Sequence, residues 1–123
     1  MADRLALIIE DQEDIADIYS NALNLAGFDT QSIHDGKIAL AQLPNLEPDI
    51  IILDMNLPHV SGHYLFKELR TTPHLANVPV IICTANSVLA NAMKAEISAT
   101  DFILIKPVSI HQLNSLVKRI FGD

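Results

Sequence analysis

The stretch Ile50-Ile51-Ile52-Leu53-Asp54-Met55-Asn56-Leu57-Pro58 decides the fold. Four consecutive apolar residues, three of them β-branched, suit a strand covered on both faces, as in a parallel sheet, and the run stops at a carboxylate. Two other runs share this character, Leu5 to Ile9 upstream and Val80 to Cys83 downstream. Weaker strand signals lie at Phe28 to Ile33 and Phe102 to Ile105. Between the strands the apolar spacing turns helical. Ile15, Ile18, Ala22 and Leu25 mark one face of a helix that Gly27 closes, and further helices are expected at Gly36 to Leu43, Gly62 to Arg70, Val88 to Ile97 and from about Ser109. Loops carrying Pro44 and Pro48, then Pro73 and Pro79, punctuate the series. Strict alternation of five strands and five helices predicts an α/β fold, a parallel sheet with helices on both faces. Ligands of such folds sit beyond the carboxyl ends of the strands.

The bulk numbers set bounds on this picture. At 123 residues the chain suits one domain that buries about two thirds of its unfolded surface, expected over residues 4–121 with no linker and no separate output domain. Its apolar runs fall far short of the roughly 20 residues that a membrane-spanning helix needs, so no membrane insertion is expected. The opening residues Met1 to Arg4 show no secretory pattern, and a cytoplasmic location is expected. The single cysteine, Cys83, follows Ile81 and Ile82 and reads as a buried structural thiol. A net charge of −7 with only eight scattered Lys and Arg argues against direct nucleic-acid binding. Five of the eight residues from Glu10 to Asp17 are acidic. Glu13 and Asp14 suit the first turn of a helix, but Glu10 and Asp11 directly end an apolar run and need another reason.

That reason appears at the carboxyl edge. The first strand ends in Glu10 and Asp11, the third in Asp54, the fourth in Thr84 and the fifth in Lys106. Crowded carboxylates repel one another unless a cation lies among them, and hard oxygen ligands select Mg²⁺ or Mn²⁺ over Zn²⁺. Mg²⁺ takes only one or two protein carboxylates and leaves positions for a phosphoryl oxygen. A strand-end Asp, ionised at neutral pH, can attack phosphorus without a general base. An ammonium and a hydroxyl, as Lys106 and Thr84 supply, suit the charge on the phosphoryl oxygens.

From Arg4 to Phe121 the sequence resembles the response-regulator receiver family of two-component systems, in its single-domain, chemotaxis-type form. The resemblance rests on Glu10-Asp11, on Asp54-Met55-Asn56-Leu57-Pro58 through Ser61-Gly62, on Thr84-Ala85 and on Lys106-Pro107. Thr84 lies 30 residues after Asp54 and Lys106 lies 22 after Thr84, separations similar to the family's. It implies a flavodoxin-like doubly wound (βα)5 fold with strand order 2-1-3-4-5. It also implies that Asp54 is the phosphoacceptor, that Asp11 and Asp54 ligate Mg²⁺, that Glu10 acts on the ion through water, and that the backbone carbonyl of Asn56 is a further ligand. Lys106 then pairs with the phosphoryl group and Thr84 moves to hydrogen-bond it, drawing the following loop inward. A cis Lys106-Pro107 bond is expected. The implied partners are a sensor histidine kinase or a histidine phosphotransfer protein. The chain is expected to promote its own phosphorylation and dephosphorylation without turning over external substrates, and to signal through protein contacts. An apolar docking rim for the phosphodonor is expected around an exposed Ile15, Ile18 and Tyr19 with the Pro107-Val108 loop.

The pattern departs from the family in places. Ile103 occupies the position of the usual switch aromatic, and Phe102 beside it should point to the other face of the strand. Phosphorylation is therefore expected to occur with an altered or weak conformational readout on the fourth helix and fifth strand. Ala99 and Thr100 replace the usual Gly and Ala before the fifth strand, and Glu10 stands where Asp is also common. Three rival readings remain in view. A dehalogenase-like phosphatase needs a second Asp two residues after the nucleophile, where this chain has Asn56. A flavodoxin-like cofactor protein needs a phosphate-cradling first loop, which Glu10-Asp11-Gln12-Glu13 would repel. A pseudo-receiver would keep the fold and work as an interaction module without phosphorylation. His59 and His63, four residues apart, read as solvated side chains.

Overall fold

The computed structural model describes residues 4–122. Five strands, β1 (Arg4–Ile9), β2 (Phe28–Ile33), β3 (Ile50–Asp54), β4 (Val80–Thr84) and β5 (Asp101–Ile105), alternate with α1 (Glu13–Leu25), α2 (Gly36–Gln42), α3 (Gly62–Thr71), α4 (Ser87–Met93) and α5 (Ile110–Phe121). All strand pairs are parallel and the order is β2-β1-β3-β4-β5. Because β1 is flanked by β2 and β3, its carboxyl end lies beside that of β3, and Ile9 pairs with Leu53.

The continuous apolar runs are explained by two cores, one on each face. Leu7, Ile9, Ile51, Leu53, Val80 and Ile82 face Leu65, Phe66 and Leu69 of α3 and Met93 of α4. Their neighbours Ala6, Ile8, Ile50, Ile52, Ile81 and Cys83 face Ala16, Tyr19 and Leu23 of α1 and Leu113 and Val117 of α5. Side chains alternate between faces with the strand period of two, so both phases must be apolar. Each large aliphatic here, Leu7 or Ile52 for example, is withdrawn from water, worth about 1.5–3 kcal/mol per side chain.

Local signals set the helix ends. Asp35, Ser61 and Asn86 cap α2, α3 and α4 through side-chain oxygens, and Ser109 with Gln112 forms a reciprocal capping box on α5. Gly27, with φ +93°, carries the turn out of α1. Three sequence expectations are corrected. The buried stripe of α1 is Ala16, Tyr19, Ala22 and Leu23, whereas Ile18 and Leu25 are exposed and Ile15 is half-buried. The tyrosine ring outcompetes the isoleucines for the sheet, which rotates the face by about one residue. Helix α2 stops at Gln42 and a 3₁₀ turn follows over Leu43–Asn45, because Pro44 lacks the N–H for another helical bond. Helix α4 stops at Met93, where the N–H groups of Lys94 and Glu96 tighten to three-residue bonds with the Asn91 and Met93 carbonyls and Glu96 pairs with His63 on α3. Among the described residues no helix is long and apolar enough to cross a membrane.

Candidate functional site

Glu10, Asp11 and Asp54 come together at the carboxyl edge, each offering a carboxylate oxygen within 4.8 Å of the others. Glu10 and Asp54 are 1% and 4% exposed, while Asp11 faces solvent. From the far side, Lys106 Nζ donates to Glu10 Oε1 at 2.7 Å and lies 3.4 Å from Asp54 Oδ1. Two backbone donors complete the frame: the Asn56 N–H reaches Asp54 Oδ1 at 3.2 Å, and the Gln12 N–H reaches Glu10 Oε2 at 3.3 Å. Lys106 is placed by its own N–H, which donates to the Thr84 carbonyl at 2.8 Å, and the Lys106-Pro107 bond that follows is cis. Thr84 is buried, and its Oγ1 accepts from the Asn86 N–H at 3.1 Å, so the hydroxyl keeps its proton for another acceptor.

One ammonium faces three carboxylates, and the imbalance registers on Glu10. Burial pushes its carboxyl up to about 7; the bond from Lys106 opposes this, while the Asp54 charge and a bond shared with Asp11 add to it. For Lys106, burial works against the charge. Its bond to Glu10 and the charge of Asp54 outweigh burial and hold the ammonium above the usual lysine range. An all-oxygen donor set short of positive charge fits Mg²⁺ or Mn²⁺ and lacks the nitrogen or sulfur that Zn²⁺ prefers.

The helix after β3 is pressed against this frame. A Cβ on Gly62 would lie 2.3 Å from the Asp54 carbonyl oxygen and 2.5 Å from Met55 Cα, so only glycine lets α3 begin there. The Gly62 N–H donates to the Met55 carbonyl at 3.2 Å. Met55 and Asn56, with Thr84, Ala85, Asn86 and Leu89, line a cavity of about 310 Å³ on the Thr84 side. Ile103 is half-buried and packs into the core that includes Met93, with Leu89 and Ile97 against the same cluster, while Phe102 joins the opposite core. The β4–β5 register runs unbroken through Ile81–Phe102 and Ile82–Ile103, so no bulge exchanges the two. The turn that carries Ala99 and Thr100 is held by Ser98, whose N–H and hydroxyl both reach Asp101 Oδ2.

Beside Lys106 lies an apolar cavity of about 390 Å³ lined by Ile15, Ile18, Tyr19, Ala85, Lys106, Pro107 and Val108. Tyr19 is not the exposed rim residue that the sequence suggests. It is 4% exposed, and burial raises its pKa, with Cys83, Glu10 and Asp54 as charged or ionisable neighbours. Cys83 is buried and its thiol is pushed up to about 12, chiefly by burial. His59 and His63 do not share a site and are not simply solvated: His59 pairs with Asp35, and His63 Nε2 meets both oxygens of Glu96 at 3.0 Å. Sequence reasoning missed His34, whose ring meets the Glu10 carbonyl, and the contacts of Asp35 and Gly36. No periodicity links residues 24 positions apart.

Comparison with known proteins gives a consistent result. The family model described as "Response regulator receiver domain" matches residues 6–118. The sensory transduction protein RegX3 of Mycobacterium bovis is 35% identical over 115 residues, covering 93% of this chain and 49% of that protein. The chain spans about half or less of the length of the curated relatives it matches. Among solved structures, a putative response regulator from Chloroflexus aurantiacus superposes with TM-score 0.86 at 29% identity, covering 99% of this chain and 100% of the other. Chemotaxis response regulator CheY4 of Vibrio cholerae gives 0.85 at 25% identity, covering 97% and 99%.

Proposed function

This chain belongs to the response regulator receiver family, and from that premise we propose that it accepts a phosphoryl group on Asp54 in a reaction that depends on a divalent cation. The donor is a phosphohistidine on a sensor histidine kinase or a histidine phosphotransfer protein. The observation that carries the reading is the convergence of Glu10, Asp11 and Asp54 within 4.8 Å, with Lys106 bonded across them. Asp11 and Asp54, the backbone carbonyl of Asn56, and Glu10 through water would hold Mg²⁺, or Mn²⁺ in its place. When bound, the ion supplies the positive charge that the cluster lacks.

The chain's own groups do the rest. An ionised Asp54 oxygen attacks phosphorus as the bond to the donor's imidazole nitrogen breaks, and that bond's electron pair stays on the ring. Lys106, already 3.4 Å from Asp54, turns from Glu10 to a phosphoryl oxygen. Thr84 donates a hydrogen bond through its hydroxyl to another phosphoryl oxygen and brings Ala85 and Asn86 with it. The chain promotes its own phosphorylation and dephosphorylation and is not a turnover enzyme. It acts in the cytoplasm, where its phosphodonors work, and signals through protein contacts. The cavity beside Ile15, Ile18, Pro107 and Val108, next to Lys106, is where the donor seats.

The test is incubation with Mg²⁺ and a small acyl phosphate, followed by mass measurement. The chain should gain one phosphoryl group, and Asp54→Ala should gain none. An unmodified mass under saturating donor would leave a pseudo-receiver; undiminished uptake by Asp54→Ala would move the acceptor elsewhere.

A further inference from the structure

Residues 34–36 follow the edge strand β2 and give no carboxylate to the cluster, yet each touches a loop that does or its neighbour. His34 Nδ1 lies 2.8 Å from the Glu10 backbone carbonyl. A carbonyl only accepts, so Nδ1 carries the proton and donates. Asp35 divides its carboxylate. Oδ1 accepts from the N–H groups of Lys37 and Ile38 at 2.7 and 3.2 Å and caps α2, while Oδ2 pairs with the His59 ring in the β3–α3 loop. His59 sits at φ +67°, a left-handed conformation uncommon for a side-chain-bearing residue, within a tight turn in which the Val60 N–H donates to the Pro58 carbonyl at 2.8 Å. Gly36 lies against the same loop: a Cβ there would fall 2.1 Å from the Val60 carbonyl oxygen.

These contacts matter because of where the ladder stops. The β1–β3 register ends with Ile9 opposite Leu53, one residue before Glu10 and Asp54. Beyond that point Lys106 spans the side chains of Glu10 and Asp54 and the Met55 N–H still reaches the Cys83 carbonyl of β4, while the tips of the two acidic loops are set apart by what lies across them. The 34–36 segment holds one loop through His34 and the other through Asp35 and Gly36. It is itself anchored to the sheet by the Glu10 N–H, which donates to the Ile33 carbonyl at 3.0 Å.

We propose that His34, Asp35 and Gly36 form a brace that sets the spacing of the β1–α1 and β3–α3 loops and thereby tunes the cluster's affinity for its divalent cation. The proposal rests on the cation-dependent reading above. All three are positioning residues, since they act through backbone and through His59 rather than on the reacting atoms.

The test is titration of the full chain with Mg²⁺, followed by amide chemical shifts, beside phosphorylation by a small acyl phosphate at saturating Mg²⁺. Loss of groups that orient metal ligands weakens binding by about tenfold or more, and His34→Ala should do so. Its phosphorylation rate at saturating Mg²⁺ should stay near that of the unaltered chain, because Asp54, Lys106 and Thr84 are intact. His34→Asn, whose side-chain amide can donate to the same carbonyl, should recover most of the affinity. Gly36→Ala should weaken Mg²⁺ binding from the other side, with shifts at residues 56–60, and it tests the brace even if His34→Ala fails to fold. Unchanged affinity in both His34→Ala and Gly36→Ala overturns the brace, as does a loss that His34→Asn does not repair. An unaltered chain that binds Mg²⁺ but takes up no phosphoryl group defeats the proposed function and leaves the brace standing. One that takes it up while both variants bind normally defeats the brace alone.

Discussion

At the amino end of the sheet, Arg70 from the last turn of α3 meets Asp101, the first residue of β5; at the carboxyl end, Lys106 meets Glu10 and Asp54, with Asp11 beside them. Both ends bury charge, and they resolve it differently. Arg70 shares its terminal nitrogens among the carbonyls of Leu75, Ala76 and Val78 and pairs with Asp101, whose other oxygen takes the Ser98 N–H and hydroxyl. One cation meets one anion and backbone carbonyls take the terminal nitrogens, while Arg70 Nε stays buried without a partner among the described residues. At the carboxyl end one ammonium faces three carboxylates, and Glu10 is pushed up to about 7. At the amino end the charges balance within the protein. The carboxyl end keeps an excess of negative charge, which suits it to the proposed cation and makes it a candidate site rather than a joint.

The largest test of this contrast is to break the closed end. Asp101 is 1% exposed at its side chain and Arg70 21%. Removing one partner of such a buried pair leaves the other uncompensated, which costs about 3–5 kcal/mol. Arg70→Ala should therefore lower the urea midpoint steeply while leaving phosphoryl uptake in the folded fraction unchanged. A midpoint within experimental scatter of the unaltered chain would show that the latch is not what holds β5 to α3.

The same operation at the open end should have the opposite sign. Glu10 in the folded, metal-free chain holds its proton up to about pH 7, above its ordinary 4.5. The stability it contributes is therefore full below about pH 4.5 and is lost as pH rises through 7. Glu10→Gln removes that titration. It should stabilise the metal-free chain by up to about 3 kcal/mol at pH 8 and by little at pH 4.5. Urea midpoints at the two pH values measure it, and a destabilised variant at pH 8 would mean that the bond to Lys106 outweighs the crowding.

A smaller effect follows for the cation. Protons compete at Glu10, so Mg²⁺ should raise the melting temperature more at pH 8 than at pH 5.5, and binding near neutral pH should release a fraction of a proton. Calorimetric titration in two buffers of different ionisation heat reads that release. Identical heats in both buffers would place the cation away from Glu10.

The two ends also differ in how far the sequence announces them. The strands were legible because both phases of Leu5–Ile9, Ile50–Leu53 and Val80–Cys83 are apolar, and the carboxyl-edge cluster follows once those strands are parallel and neighbouring. The face of α1 was legible only to within a residue, since the apolar count gives Ile18 and Leu25 the weight that Tyr19 takes in the packed helix. The Arg70–Asp101 latch and the His34–Glu10 contact were not legible. They join residues 31 and 24 positions apart through loops whose paths no periodicity encodes. A carboxylate at the start of β5 reads as an ordinary strand boundary until the guanidinium beside it is seen.

The smallest predicted effect concerns how the open end speaks to the rest of the molecule. In the proposed reaction Thr84 moves, but the residue that would follow it on β5 is Ile103, packed into the core that includes Met93 and is flanked by Leu89 and Ile97. An aliphatic side chain in that setting has no polar tip to draw it outward and no ring to fill space that the Thr84 loop vacates, so little couples it to the hydroxyl's motion. A beryllofluoride adduct of the Mg²⁺-loaded chain should thus shift the amides near Asp54 and Thr84 strongly and those along Val88 to Ile103 weakly. Ile103→Tyr should enlarge the second set. Large shifts along Val88 to Ile103 in the unaltered chain would mean that the β4–α4 loop carries the signal by itself, and the contrast between a finished and an unfinished end would then extend across the α4 face.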